Sequence, residues 1–300
     1  MTRSGASVLD RITIAVPLVW LMIFIGAPLA VIACLMFGEV ADAIPPVKAL
    51  VEVTAGGLRA HLTTRNLALV TTDPLYITAF WNGIKNAALT AAASVAVGYP
   101  VAYAIARATP ARRRLYLLLA ILPFWVSFLM RAYAWMGLIR DTGPINSMLL
   151  ALGVIQHPIP ILYSPAAVLL VMLYSYLPFF ILPMYAVLER LPADLLAAAA
   201  DLGASPFYTF RTVVLPLSMP GLLSGLILVF VPAVGEYVIP DLVGNTDSIM
   251  IGGILWNEFF ANRDWPVAAT IALLTCGLLV GPAVLLRHWL SRLGARMGAA

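Results

Sequence analysis

The chain has 300 residues, of which 62% are hydrophobic and 11% are charged, and its mean hydropathy is +0.96. Soluble domains carry about 25% charged residues, so this composition excludes an ordinary water-soluble protein and predicts an integral membrane protein. The formal net charge of +4 is small, and its distribution follows membrane topology rather than nucleic-acid binding.

Six apolar stretches are long enough to cross about 30 Å of hydrocarbon. They cover residues 12–37, 83–105, 115–138, 165–188, 217–240 and 266–287. Backbone groups inside a bilayer must be hydrogen-bonded within the protein, so each stretch is predicted to be a helix. The sequence therefore predicts an all-α integral membrane fold with six transmembrane helices.

The first span follows Arg3 and Arg11, and residues 41–43 are similar to a signal-peptidase site. Its apolar run is much longer than the ~7–15 residues of a signal-peptide core, which favours an uncleaved anchor. The polar residues 38–82 that follow are predicted to form an outer loop with one short interfacial helix.

We therefore divide the chain into three parts. An N-terminal anchor helix with its outer loop covers residues 1–60, a transmembrane domain covers 61–290, and a short cytoplasmic tail covers 291–300.

Basic residues set the expected orientation, because they concentrate on the cytoplasmic side of membrane proteins. With the N-terminus inside, the cytoplasmic segments hold Arg3, Arg11, Arg107, Arg112, Arg113, Arg114, Arg190, Arg211, Arg287, Arg292 and Arg296. The opposite side holds Lys48, Arg59, Arg65, Lys85, Arg140 and Arg263. Both termini are therefore predicted to be cytoplasmic. The triplet at 112–114 is interpreted as an orientation anchor near anionic lipid.

A short polar segment between the fourth and fifth spans predicts a helix–turn–helix outside the bilayer. Residues 194–202 can be helical, and Gly203 has the backbone freedom that ends helices. Ser205 followed by Pro206 is typical of an N-cap and first-turn proline, which opens a second short helix that Pro216 is expected to break. The side chains are small, so another protein can approach this segment closely.

Nucleotide-binding and catalytic motifs are absent from the sequence. No Gly-x-x-x-x-Gly-Lys-Ser/Thr is present, so an ATPase driving this chain must be another polypeptide. His61, His157 and His288 are widely separated and predict no metal site, and no serine or cysteine is placed beside a base. We expect a non-catalytic protein without a bound cofactor.

The segment at 194–216 resembles the cytoplasmic signature loop of bacterial ABC-importer permeases. That loop reads Glu-Ala-Ala, three residues, Gly, nine residues, Ile-x-Leu-Pro. The matching residues are Ala198, Ala199, Gly203, Leu215 and Pro216. Val213 is a mild change at the Ile position, whereas Ala197 replaces the Glu and removes a carboxylate that could pair with a partner.

The resemblance extends over about residues 60–290 and is specific to the polyamine branch of this family, the putrescine and spermidine permeases. The runs that carry it are 73–76, 81–82, 98–107, 123–135, 140–146, 232–240 and 256–266.

This resemblance implies the permease subunit of an ATP-driven polyamine importer in the bacterial inner membrane, with the bundle of a type I ABC importer. Its implied partners are a second homologous permease, two ATPase subunits that use ATP and Mg²⁺, and an extracytoplasmic binding protein. The residues expected to couple the ATPases to the pore are Ala198, Ala199, Asp201, Gly203, Ser205, Pro206, Arg211, Leu215 and Pro216.

A polyamine is an apolar chain ending in ammonium groups, so its route calls for carboxylates and aromatic faces. Glu236 is the first candidate, because ionisable residues inside a membrane are costly and commonly functional. The other candidates are Tyr237, Asp241, Trp135, Tyr133, Tyr174 and Tyr176. Two structural interpretations stay open: Glu236 pairs with Arg131 as a buried ion pair, and the aromatic residues form an interfacial belt.

Two other functions also stay open. One keeps the ABC architecture with an anion or ferric complex as cargo, which Glu236 disfavours. The other is a secondary transporter or channel that works without ATP. The preferred polyamine, the identity of the partner permease and any contact of this half with substrate are not encoded in a recognisable motif.

Overall fold

The structure is a computed structural model that describes the backbone of residues 8–54 and 57–297. Side chains are described for residues 12–50, 61–192 and 194–281. The tail predicted at 291–300 lies partly outside this range: the backbone is helical to Met297, and residues 298–300 are outside the described residues.

The described chain is built almost entirely of helices, which confirms the predicted all-α class. The helices are α1 (Val8–Leu21), α2 (Ala27–Met36), α3 (Arg65–Thr72), α4 (Pro74–Arg107), α5 (Pro110–Ile121), α6 (Phe128–Ile139), α7 (Pro144–Ala151), α8 (Pro165–Leu188), α9 (Ala193–Asp201), α10 (Pro206–Thr209), α11 (Leu215–Val234), α12 (Val238–Val243), α13 (Ile251–Trp256) and α14 (Trp265–Met297). Three π-helical turns occur, at Met22–Gly26, Phe210–Val214 and Asn257–Ala261.

The outer segment differs from the prediction of a loop with one helix. Besides α3 it contains an antiparallel hairpin of β1 (Val51–Thr54) and β2 (Gly57–Ala60). Valines and a threonine in β1 favour an extended strand. Residues 55 and 56, between the two strands in the sequence, lie outside the described residues.

Within the part of the chain that the structure describes, four helical segments are long and apolar enough to cross a membrane. They are Ile12–Met36, Pro74–Arg107, Pro165–Leu188 and Pro206–Val234. The predicted third span, 115–138, is not one straight helix: Pro110–Trp125 and Phe128–Ala151 meet at 95° and can together form a fifth span. The apolar part of the predicted sixth span is described only for Trp265–Gly281, so the count of six stays a prediction.

The break between α5 and α6 has a local cause. Residues 122–125 form a 3-10 turn that contains Pro123, and Val126 and Ser127 then adopt extended backbone angles. Proline lacks the N–H that would continue the helical ladder, and the tighter turn redirects the chain.

The chain divides into two compact units, residues 1–77 with 255–300, and residues 78–254. In the first, α2 and α3 pack against α14. The Asn66 amide donates hydrogen bonds to the carbonyls of Met36 (2.8 Å) and Gly38 (2.9 Å), which satisfies groups left free at the end of α2. The domain division predicted at residues 60 and 290 stays a prediction.

In the second unit, α8 and α11 form the main helix pair. Phe180 of α8 is fully buried, and its ring lies against Gly98 of α4 and Gly225 of α11. Small residues let membrane helices approach closely, so these glycines account for the tight packing of the three helices.

Candidate functional site

The segment of residues 193–216, called the coupling segment below, begins with α9. The Ala204 N–H bonds to the Ala199 carbonyl at 3.0 Å and the Gly203 N–H to the Ala200 carbonyl at 2.9 Å. This is the Schellman pattern, and it requires a left-handed residue, which Gly203 supplies with a φ of 76°. The predicted helix end at Gly203 is confirmed.

The start of the second helix is also as predicted. The Ser205 hydroxyl accepts a hydrogen bond from the Tyr208 N–H at 3.3 Å, and Pro206 occupies the first turn. Ser205 is thus the N-cap, and the turn between the two helices is fixed at both ends.

The prediction that Pro216 breaks this helix is wrong. The helix runs without interruption from Pro206 to Val234, through the π-helical turn at Phe210–Val214. In that turn the Leu215 N–H bonds to the Phe210 carbonyl, five residues back. A wider turn just before Pro216 relieves the clash between the proline ring and the preceding turn, so the helix continues.

Most of the predicted coupling residues face away from the rest of the chain. Ala198, Asp201, Gly203, Ser205, Pro206, Arg211 and Pro216 are exposed, and Ala199 and Leu215 are half-buried. Three large apolar side chains stand among them: Leu202, Phe207 and Tyr208 are 87%, 73% and 61% exposed. The surface therefore combines small residues with uncovered apolar groups, which is typical of a docking surface.

The coupling segment joins the helix core through α11. The hydroxyls of Tyr99 and Ser218 are hydrogen-bonded at 2.8 Å, and the Tyr99 ring meets the Phe210 ring edge-on with centroids 5.5 Å apart. A Cβ atom at Gly221 would lie 3.0 Å from Val187, so α11 and α8 are in close contact here. These contacts join the end of the coupling segment to α4 and α8.

The second candidate region is a cavity of about 410 Å³ in the 78–254 unit, called the aromatic cavity below. It is lined by Phe124, Phe128, Arg131, Ser175, Tyr176, Phe179, Pro232, Gly235, Glu236, Tyr237 and Val238. Of the predicted pathway residues, Glu236, Tyr176 and Tyr237 meet here.

Glu236 is 7% exposed and both of its carboxylate oxygens are engaged. Oε1 accepts hydrogen bonds from the backbone N–H groups of Tyr237 (3.1 Å), Val238 (2.9 Å) and Ile239 (3.3 Å), where α12 begins. Oε2 accepts a hydrogen bond from the Tyr176 hydroxyl. These bonds compensate the cost of burying the carboxylate and hold it at the cavity wall.

The predicted ion pair between Arg131 and Glu236 is not formed in this structure. Arg131 is 8% exposed, and its Nε and Nη1 atoms have no hydrogen-bond partner. Its guanidinium lies over the rings of Phe124 and Phe128, 5.7 and 5.5 Å from their centroids. Cation–π contacts and a shared cavity replace the direct salt bridge, because Tyr176 and the α12 backbone already occupy the carboxylate.

The structure leaves the other predicted pathway residues outside the lining of the cavity. Trp135 and Tyr174 pack edge-on against each other with centroids 5.3 Å apart, Tyr133 is 50% exposed, and Asp241 is exposed. The sequence analysis missed the cavity phenylalanines. Phe128 lies three residues before Arg131 in α6, a helical spacing that points to one face, whereas Phe124 lies in the 3-10 turn before that helix.

No group of three or more His, Cys, Asp or Glu side chains that could hold a metal ion occurs within the described residues. An exposed helix–turn–helix joined to long apolar helices defines the class: a membrane-embedded protein with a folded segment outside its apolar spans.

Comparison with known proteins gives the family. Residues 4–288 match the family described as binding-protein-dependent transport system inner membrane component, and the chain belongs to it. The spermidine/putrescine transport system permease protein PotB of Haemophilus influenzae is 32% identical over 280 residues, covering 92% of this chain and 91% of that protein. PotB of Escherichia coli is 38% identical over 217 residues, covering 72% and 78%.

A solved structure has the same fold at low sequence identity. The bacterial alginate ABC transporter, in complex with an alginate pentasaccharide-bound periplasmic protein, aligns with a TM-score of 0.67 at 14% identity. The alignment covers 95% of this chain and 94% of that chain. The chain therefore has the fold of an ABC-importer permease.

Proposed function

We propose that the chain is the permease subunit of an ATP-driven importer for polyamines such as putrescine and spermidine. The observation that carries the proposal is the coupling segment, whose Schellman turn at Gly203 presents small residues and uncovered apolar side chains to a partner. The similarity of the chain to PotB of Haemophilus influenzae over nine-tenths of its length supports a polyamine as the transported substrate.

In this proposal the chain forms half of the pore beside a second homologous permease. Two ATPase subunits bind the coupling segments of the two permeases. They hydrolyse ATP with Mg²⁺, a reaction that this chain does not perform. An extracytoplasmic binding protein delivers the substrate, and both termini of the chain are cytoplasmic. The alginate transporter, which was solved with a periplasmic protein, is a precedent for that delivery.

The ATPases act by favouring one of two permease conformations. An equilibrium shifts only by the difference in contact free energy between its two states, so the coupling segment must contact the ATPase differently in each. The helix from Pro206 to Val234 supports this role, because it is continuous from the segment into the bundle.

The docking role is tested with two matched glycines. Gly203 and Gly153 both have positive φ, 76° and 68°, and a Cβ atom at either position would meet nothing within 4 Å. Valine at either position therefore carries the same backbone strain, about 1–2 kcal/mol. Only Gly203→Val is expected to lose ATP-driven uptake, and Gly203→Asn should retain more of it because Asn tolerates left-handed angles.

Each variant chain carries a purification tag. The complex that purifies with it is reconstituted in proteoliposomes. Uptake that falls equally in Gly203→Val and Gly153→Val would contradict the docking role. Transport by this polypeptide alone, without an ATPase, would contradict the whole proposal.

The cargo is tested by competition in the same vesicles. Uptake of labelled putrescine should be blocked by excess spermidine and unaffected by sulfate. Inhibition by sulfate, or no putrescine uptake, would favour an anion or another small solute.

We further propose that the aromatic cavity lies on the polyamine route, with Glu236 as the residue that attracts the ammonium group. Its support is a buried carboxylate beside the rings of Tyr176, Phe179, Phe124 and Phe128. The rings of Phe124 and Phe128 already lie against the guanidinium of Arg131, which shows that aromatic faces of this cavity contact a cationic group.

Glu236→Gln tests this role because the amide oxygen retains an acceptor for the α12 backbone while the charge is removed. We expect the variant to fold and to lose putrescine uptake. Asp241→Asn is the matched control, since this carboxylate is exposed on α12 and does not line the cavity. If both variants lose uptake equally, or if neither loses it, Glu236 is excluded from the route.

A further inference from the structure

The three arginines at 112–114 differ in how far their side chains are exposed. Arg112 and Arg114 are exposed, as a lipid anchor requires. The Arg113 side chain is 28% exposed, and its Nε atom is buried without a hydrogen-bond partner. Arg113 is therefore partly buried, whereas its two neighbours are exposed.

The Arg113 guanidinium instead joins three parts of the chain. Nη1 donates to Glu189 Oε1 at 2.6 Å, and Nη2 donates to the carbonyls of Ala106 at 3.1 Å and Ala108 at 3.4 Å. Ala106 is in the last turn of α4, Ala108 is in the turn between α4 and α5, and Glu189 directly follows α8. We call this arrangement the Arg113 clamp.

The chemistry of arginine suits this position. The last carbonyls of a helix have no partner within the helix and carry its partial negative charge, so a cation is favoured at the end of α4. The planar guanidinium can donate to these carbonyls and to a carboxylate at the same time, whereas a lysine ammonium is a compact point charge.

The clamp lies directly before the coupling segment. Glu189 continues the helical geometry of α8, because its N–H donates a hydrogen bond to the Tyr185 carbonyl at 2.8 Å. Only residues 190–192 separate it from α9, and the last of these is Pro192, whose φ is restricted. The position of Glu189 therefore limits where the coupling segment can start.

We propose that Arg113 is a positioning residue for energy coupling: it ties the start of the coupling segment to the α4–α5 turn, so that α4, α5 and α8 move with the segment. This rests on the proposed function. Two residues beyond the other end of the segment, Ser218 of α11 is hydrogen-bonded to Tyr99 of α4, so the clamp gives the segment a second attachment to the same helix.

The first test measures coupling in proteoliposomes that contain the whole complex. Arg113→Met is expected to lower the amount of putrescine imported per ATP hydrolysed by about fivefold or more, the lower range of typical coupling energies. Arg112→Met and Arg114→Met are the matched controls and should stay within about twofold of the unmodified protein. Glu189→Gln, which weakens the same contact, should resemble Arg113→Met.

One further variant keeps the test decisive. Arg113→Lys retains the charge but not the fork, and it should lie between the unmodified protein and Arg113→Met. If Arg113→Met does not fold, Arg113→Lys takes its place in the coupling measurement. Equal coupling in Arg113→Met, Arg113→Lys and the controls would overturn the proposal. Loss of the ATPase from the purified Arg113→Met complex would make Arg113 a docking residue, which would overturn it too.

The second test does not depend on the transported substrate. Spin labels at Ala111→Cys and Leu202→Cys, with Cys34 and Cys276 replaced, report the distance between the α4–α5 turn and the coupling segment; positions 111 and 202 are exposed. The distance is expected to stay constant on addition of ATP in the clamped complex and to change in Arg113→Met. An identical ATP response in both would refute the clamp.

The two proposals fail in different ways. If the unmodified complex imports no putrescine but the labels respond as expected, the cargo assignment is wrong and the clamp stands. If putrescine is imported and neither coupling nor distance depends on Arg113, the clamp is wrong and the proposed function stands.

Discussion

The sharpest stability prediction concerns Phe180, which lies between two helices at glycine positions. A Cβ atom at Gly98 would be 2.5 Å from Phe180 Cδ1, and one at Gly225 would be 2.8 Å from Cδ2. Carbon atoms prefer separations of about 3.5–4.0 Å. Because the two glycines touch opposite edges of the ring, the ring cannot move away from one without approaching the other.

Gly98→Ala is therefore expected to destabilise the protein although alanine is the better helix former. Overpacking costs up to about 3 kcal/mol, and the higher helix propensity of alanine offsets about 1 kcal/mol, which leaves a loss of about 2 kcal/mol. Gly137→Ala is the matched control, because a Cβ atom there meets nothing within 4 Å. It should raise stability by about 0.5–1 kcal/mol.

The measurement is the free energy of unfolding in mixed micelles titrated with sodium dodecyl sulfate. Phe180→Leu provides a second check, since a smaller side chain relieves the contact. The double variant Gly98→Ala/Phe180→Leu should be more stable than the sum of the two single effects predicts. If Gly98→Ala stabilises the protein as Gly137→Ala does, the argument that the ring is trapped is refuted.

Two further predictions concern helix starts. Ser164 caps α8 by accepting a hydrogen bond from the Ala167 N–H at 3.1 Å, so Ser164→Ala should lower the free energy of unfolding by about 1 kcal/mol, and an unchanged value would contradict the cap. Burial raises the pKa of the Asp264 carboxyl, which accepts a hydrogen bond from the Val267 N–H at 3.0 Å. A raised pKa means that this group's contribution to stability is present below its unfolded pKa and is lost as the pH rises through the folded value. Asp264→Asn keeps the acceptor and should flatten that decline at pH values above the ordinary pKa of an aspartate, about 4, whereas a slope identical to that of the unmodified protein would refute the assignment.

Local sequence was sufficient for the turn of the coupling segment. A left-handed residue is needed after α9, and Gly203 meets that need at the predicted position. The Ser205 cap was equally predictable, because its partner lies only three residues away. The prediction at Pro216 was wrong because it treated the proline alone, whereas the π-helical turn before it changes what the helix can accommodate.

The aromatic cavity was only partly predictable. Glu236 stands out in the sequence as a carboxylate in an apolar stretch, but its partner Tyr176 lies 60 residues away on another helix. The spacing of Phe124 and Phe128 before Arg131 was present in the sequence. Whether both rings lie near Arg131 is decided by the 95° bend between Pro110–Trp125 and Phe128–Ala151, which hydropathy does not reveal.

Hydropathy and local turn chemistry by themselves determined the membrane class, the apolar segments and the turn at Gly203, because lipid forces the backbone into helices and only a few residues accept a left-handed conformation. Tertiary structure alone decided that Glu236 binds Tyr176 instead of Arg131, and that Arg113 contacts Glu189 while its two neighbours stay exposed. These choices depend on which helix ends meet in space, and such contacts between distant residues carry no periodic signal along the chain.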